Sequence, residues 1–70
     1  MQSNELDDID AQILLIISES GPVSSNYVYD KINKTIGKTL VIFKLVSLVE
    51  EGYLNLKEVE NNFYYSINST

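Results

Sequence analysis

The sequence contains no cysteine, no histidine and no arginine, and only three glycines and one proline. Without cysteine there is no disulfide and no thiol chemistry. Without cysteine and histidine the usual zinc sites are excluded as well. Without arginine the bidentate guanidinium grip on guanine is unavailable. Long apolar runs are also missing. The longest, Ile13 to Ile17, is far too short to span a bilayer. The opening residues, MQSNELDDID, are polar and acidic and resemble neither a signal nor a transit peptide. These absences predict a soluble, cytoplasmic protein with no membrane contact, no metal and no cofactor.

Catalysis has little to build on. There is no histidine or cysteine and no glycine-rich phosphate loop, and each glycine falls at the boundary of an expected element. The acidic pairs Asp7-Asp8 and Glu50-Glu51 sit where a helix begins or ends. Capping or solvation explains them better than general acid–base work. No spacing of acids suggests a converging metal site. The protein is expected not to be an enzyme.

What is present is a chain of 70 residues with 44% hydrophobic content, the composition of one globular domain. A domain this small buries only about 60% of its unfolded surface, so it gains from self-association. The expected ordered core covers residues 6–67 of a single domain, 1–70.

The net charge is −5, which by itself argues against nucleic acid. Its distribution says more. Residues 1–30 carry Glu5, Asp7, Asp8, Asp10, Glu19 and Asp30 and no base. From Lys31 to Val49 there are only bases: Lys31, Lys34, Lys38 and Lys44. The acids then return, with Lys57 alone among them. Either the lysines decorate solvent faces, or they form a positive patch around one turn and one helix.

Helical spacing of Leu6, Ile9, Ile13, Ile16 and Ile17 predicts helix 1 over residues 8–20, capped by Asp7 or Asp8. Leu6 before the cap is placed to act as a hydrophobic staple. Gly21-Pro22 ends that helix, and Val23 has room for a short extended segment. Ser24 or Ser25 caps helix 2, which holds Val28 and Ile32 on its inner face and ends near Asn33. Of Tyr27 and Tyr29, at least one is exposed. A turn follows over residues 33–37, with Ile36 tucked inward. Thr35 and Thr39 are both candidate caps for helix 3. Residues 53–59 and 63–67 read as a strand pair joined by a Glu60-Asn61-Asn62 turn. The remainder, Asn68 to Thr70, reads as a polar tail.

Helix 3, KTLVIFKLVSLVEE, is the organising stretch. Val41, Leu45, Leu48 and Val49 form an ordinary core stripe. The opposite side holds Thr39, Phe43, Val46, Ser47 and Glu50, with Leu40 and Ile42 on its flanks. A helix apolar nearly all round is buried on more than one side. Either the outer residues meet a partner, or the helix is turned or covered by helix 1 so that Phe43 is core.

The segments GPVSSNYVYDKIN, TLVIFKLVSLVEEGYL and FYYSI together resemble the winged helix-turn-helix of archaeal and bacterial regulators of the ArsR, MarR and TrmB-like type. The resemblance covers roughly residues 6–67. It implies an α+β fold of three helices with a C-terminal β-hairpin wing, in the order helix, short strand, helix, helix, strand, strand. It also implies that helix 3 lies in the major groove of double-stranded DNA. Carried onto this sequence, the groove side holds Lys38, Thr39, Leu40, Ile42, Phe43 and Val46. Three features depart from the family pattern. The groove side is mostly apolar, the wing tip carries Glu60, and the link between helices 2 and 3 is about two residues longer than the common tight turn.

Two functions follow. In the first the protein is a DNA-binding transcriptional regulator, a homodimer, using Lys31, Lys34, Lys38, Thr39, Lys44 and Lys57. If about four phosphates are neutralised, affinity falls with log salt at a slope near −3.6. In the second it is a protein-interaction module that uses Leu40, Ile42, Phe43 and Val46. Its partner is then another protein or a second copy of the chain.

Overall fold

The 3–4 spacing of Asp10, Ile13 and Ile17 becomes the buried side of a first helix, α1 (Asp8–Ser20). The computed structural model describes residues 6–32 and 35–68. A second helix, α2 (Ser25–Lys31), contributes Val28 to the core. A third, α3 (Lys38–Glu50), contributes Val41, Leu45 and Leu48. The strands β1 (Leu54–Val59) and β2 (Asn62–Ile67) pair antiparallel and supply Leu54 and Tyr65. Val23 and Ile32 complete this core, and Ile36 packs against it from the turn, as expected. Each fully buried Ile, Leu or Val is worth about 1.5–3 kcal/mol. The helix-propensity penalty of a β-branched residue is at most about 0.7 kcal/mol. Packing therefore outweighs propensity along α1.

The caps explain the helix limits. Asp7, not Asp8, caps α1. Its Oδ1 accepts from the Asp10 N–H at 2.9 Å, and Asp10 Oδ2 accepts from the Asp7 N–H at 3.2 Å. This is a reciprocal capping box with Asp in the place usually held by Glu. Ser24 caps α2 through the Tyr27 N–H. That helix ends at Lys31, with Ile32 already extended as its C-cap. The expected end near Asn33 falls outside the described residues. Neither Thr35 nor Thr39 caps α3. Gly37 occupies the cap at φ −73°, with no side chain to satisfy the first-turn N–H groups.

The end of α3 is fixed by backbone rather than by charge. The Tyr53 N–H donates to Leu48 O at 2.9 Å and the Gly52 N–H to Val49 O at 3.1 Å. This is a Schellman closure, and Gly52 supplies the left-handed residue it needs at φ +91°. Two glutamates at the negative end of the dipole do not displace it.

Among the described residues the sheet has two strands, not the three expected. Val23 and Tyr65 do exchange both hydrogen bonds, at 3.0 and 2.7 Å, but they form an isolated bridge. The segment cannot extend. The next ladder residues on either side are Gly21, whose N–H already donates to Ile17 O, and Ser25, already the first residue of α2. The hairpin register runs from Leu54↔Ile67 to Val59↔Asn62. Its loop is therefore Glu60-Asn61 alone, both at positive φ (51° and 71°), the signature of a type I′ turn. Asn68, expected in a polar tail, instead latches the hairpin base. Its N–H donates to Tyr53 O at 3.0 Å and its Nδ2 to Gly52 O at 2.9 Å. Among the described residues no helix is long and apolar enough to cross a membrane.

Candidate nucleic-acid interface

Because Val41, Leu45 and Leu48 face inward, the geometry of α3 turns Thr39, Phe43, Val46 and Glu50 to the other side. Phe43 is 65% exposed, and Leu40, Ile42 and Val46 are exposed beside it. Of the two alternatives for this helix, the one in which Phe43 is core does not hold within a single chain. Val49 is half-buried on the flank and packs against the core.

The cations separate into three groups. Lys38 and Thr39 are exposed in the first turn of α3. Lys31 is exposed at the end of α2, with its Nζ 5.4 Å from the centre of the Tyr27 ring. That tyrosine is in turn held by its hydroxyl, 3.0 Å from Ser20 Oγ. Lys31 and Lys38 thus flank the link between α2 and α3; Lys34 lies outside the described residues. Lys57 is exposed on β1 opposite Tyr64, on the strand face away from Tyr65.

Lys44 belongs to neither surface group. Its ammonium is turned against the start of α1, 2.6 Å from Asp7 Oδ2 and 3.6 Å from Asp10 Oδ2. The reason is positional. One residue before Leu45, it lies at the edge of the buried stripe, and its aliphatic stem leads the charge along the core to two acids. The Lys44 hydrogen bond holds the Asp7 carboxyl below its ordinary pKa, with the Asp10 N–H assisting. The same bond raises the pKa of Lys44 against a smaller opposing effect of burial. Burial alone raises the pKa of the Tyr65 phenol.

Two surface features were not read from the sequence. An open groove runs between the start of α2 (Ser24 to Asn26), Ile42 of α3 and Phe63 of the hairpin. A second, more apolar groove joins Leu14 and Leu15 of α1 to Tyr53 and Ile67. Leu15 is 57% exposed. The signal was available, since Leu15 falls on the side of α1 opposite Ile13 and Ile17 and so cannot share their core.

No protein-family model and no curated protein matches this sequence. Solved structures do match it in shape. One is a predicted DNA-binding transcriptional regulator from E. coli, with a TM-score of 0.73 and 19% identity over 83% of this chain and 59% of that one. Another is a mutant of ZitR from Lactococcus lactis, with a TM-score of 0.76 and 18% identity over 96% of this chain and 46% of that one. The chain therefore spans less than two thirds of the length of either protein. At this identity the likeness shows the fold, a winged helix-turn-helix.

Proposed function

We propose that this protein is a transcriptional regulator that binds double-stranded DNA through α3. The observation that carries the reading is the exposed start of α3. There an uncapped first turn, with its N–H groups unanswered by Gly37, stands beside Lys38 and Thr39. Free first-turn N–H groups and the positive end of the dipole suit a phosphate. Lys31 across the turn and Lys57 on the hairpin add point charges. The similar E. coli structure is described as a predicted DNA-binding transcriptional regulator, which supports the same reading. Such a protein works in the cytoplasm.

The chemistry of the face sets the kind of binding. Leu40, Ile42, Phe43 and Val46 offer no donor or acceptor to base edges and suit only thymine methyl groups. Specificity is then weak, and affinity comes from phosphates. Lys44 is left out of the contact set because Asp7 and Asp10 already hold it. Glu60 keeps the wing tip away from the backbone. With Lys31, Lys38 and Lys57 as contacts, the slope of log affinity against log salt is about −2.7. Fluorescence anisotropy on a mixed-sequence duplex at several salt concentrations tests this. Binding that ignores salt, or no binding at low salt, overturns it.

A second reading is favoured by one observation, the 65% exposure of Phe43 on an acidic protein. In it Leu40, Ile42, Phe43 and Val46 form a protein-binding surface, and the chain acts as an interaction module or homodimer.

A further inference from the structure

None of the lysines assigned to DNA lines the apolar groove beside α1. On one wall of that groove Ala11, Leu14, Leu15 and Ser18 follow at intervals of three, one and three residues. This is the spacing of a helix–helix seam, with small residues at its ends. Tyr53 and Ile67 at the hairpin base form the other wall. Leu15, Tyr53 and Ile67 are all exposed. The backbone of that wall has no free group for an added strand. The Gly52 and Tyr53 N–H groups donate to Val49 O and Leu48 O, and both carbonyls accept from Asn68. A partner must therefore dock through side chains, as an amphipathic helix does.

The rim of the groove is acidic. Asp8 lies seven residues before Leu15 and Glu19 four after it, so the three share one edge of α1. Glu51, the C-cap of α3, adjoins Gly52 of the groove wall. It follows Lys44 by two turns, on the flank of α3 that Lys44 shows to face α1. All three acids are exposed, and none has an ion-pair partner among the described residues. Lys44, on the same flank, is already held by Asp7 and Asp10. Glu19 also stands at the negative end of its own helix, where the last turn holds no base. A second copy is a poor occupant. Its α1 brings Asp8, Asp10 and Glu19 and no base, so two such helices repel. Anionic lipid and nucleic acid are disfavoured for the same reason.

We propose that this groove receives an amphipathic helix of another protein, apolar on its inner face and rich in lysine or arginine on both flanks. Its apolar side chains enter between Leu15 and the wall of Tyr53 and Ile67. Its flanking bases meet Asp8 and Glu19 on one rim and Glu51 on the other. No residue of the exposed α3 stripe lines the groove, so the docked helix leaves α3 free.

Fluorescence anisotropy tests this with two labelled peptides of about 20 residues. Both carry leucine at heptad positions a and d; one has lysine at e and g, the other glutamate. The basic peptide should bind, and the acidic one at least tenfold more weakly. Leu15→Gln, an exposed change whose fold circular dichroism will verify, should weaken the basic peptide about tenfold or more. The triple variant Asp8→Asn, Glu19→Gln, Glu51→Gln should bring the two affinities together. Phe43→Ala should change neither. No binding of the basic peptide, equal binding of both, indifference to Leu15→Gln, or loss of binding in Phe43→Ala overturns the proposal. So does a wild type that sediments as a dimer and becomes monomeric in Leu15→Gln, since a second copy would then fill the groove. No duplex is present, so failure of the DNA reading leaves these results unchanged.

Discussion

The Lys44 ammonium lies 2.6 Å from Asp7 Oδ2, a bond that ties the middle of α3 to the N-cap of α1 across 37 positions of sequence. It removes a lysine from the presumed patch and gives it a structural task. It also gives the fold a defined response to pH. The pKa of Asp7 is lowered on folding, so its contribution is present above its unfolded value and lost as pH falls through the folded one. The pKa of Lys44 is raised, so its contribution is present below its unfolded value and lost as pH rises through the folded one. Urea midpoints should therefore decline below about pH 4 and above about pH 10. Asp7 is half exposed, so solvent screening keeps the effect under about 1 kcal/mol. Lys44→Met should flatten both limbs; unchanged limbs would mean the pair contributes nothing.

Neighbouring apolar residues on α3 should respond in opposite ways to truncation. Leu45 is fully buried. Leu45→Ala should cost about 2–5 kcal/mol, a large part of the roughly 4–10 kcal/mol expected for a chain this long. Phe43→Ala should stay within about 0.5 kcal/mol. Chemical denaturation of the two variants, at a concentration where the wild type is monomeric, checks the pair. Equal losses would mean that Phe43 is core.

The hairpin loop carries strain that can be relieved. Glu60 is a non-glycine residue at φ 51°, where a side chain costs about 1–2 kcal/mol. Replacing Glu60-Asn61 by Asn-Gly, the favoured pair for this turn, should stabilise by roughly 1 kcal/mol and raise Tm by about 4–8 °C. Calorimetry measures it. A lower Tm would be incompatible with a two-residue type I′ loop.

Lysines close in sequence should differ in their effect on DNA. Lys38→Gln removes one exposed phosphate contact, so the salt slope should become shallower by about 0.9 and affinity should fall on every duplex alike. Lys44→Gln should leave the slope unchanged, because that ammonium is committed to Asp7 and Asp10. Equal changes would mean that Lys44 swings out to the nucleic acid.

Much of the fold was legible because its signals are local. The apolar period placed α1 over residues 8–20 and left its cap between Asp7 and Asp8, which the Asp7–Asp10 capping box decides for Asp7; the position of Gly52 marked the end of α3. The third strand was not legible, since its length depends on Gly21 closing α1 and Ser25 opening α2 on either side of Val23. The loop was misjudged by one residue because Asn62 can sit in a turn or a strand, and only pairing with Val59 decides. Asn68 reads as tail until its partners Gly52 and Tyr53 are in place. For the site, the exposed face of α3 followed from periodicity. The fate of Lys44 did not, since a charge at the edge of a buried stripe is assigned by acids on another helix.

Whether α3 is the DNA-binding helix is tested by a two-dimensional NMR titration of dilute protein with an excess of mixed-sequence duplex. Amide shifts should concentrate in Gly37 to Val46 and at Lys31, with smaller shifts near Lys57. Shifts confined to the groove around Leu15, Tyr53 and Ile67, or none at low salt, would contradict it.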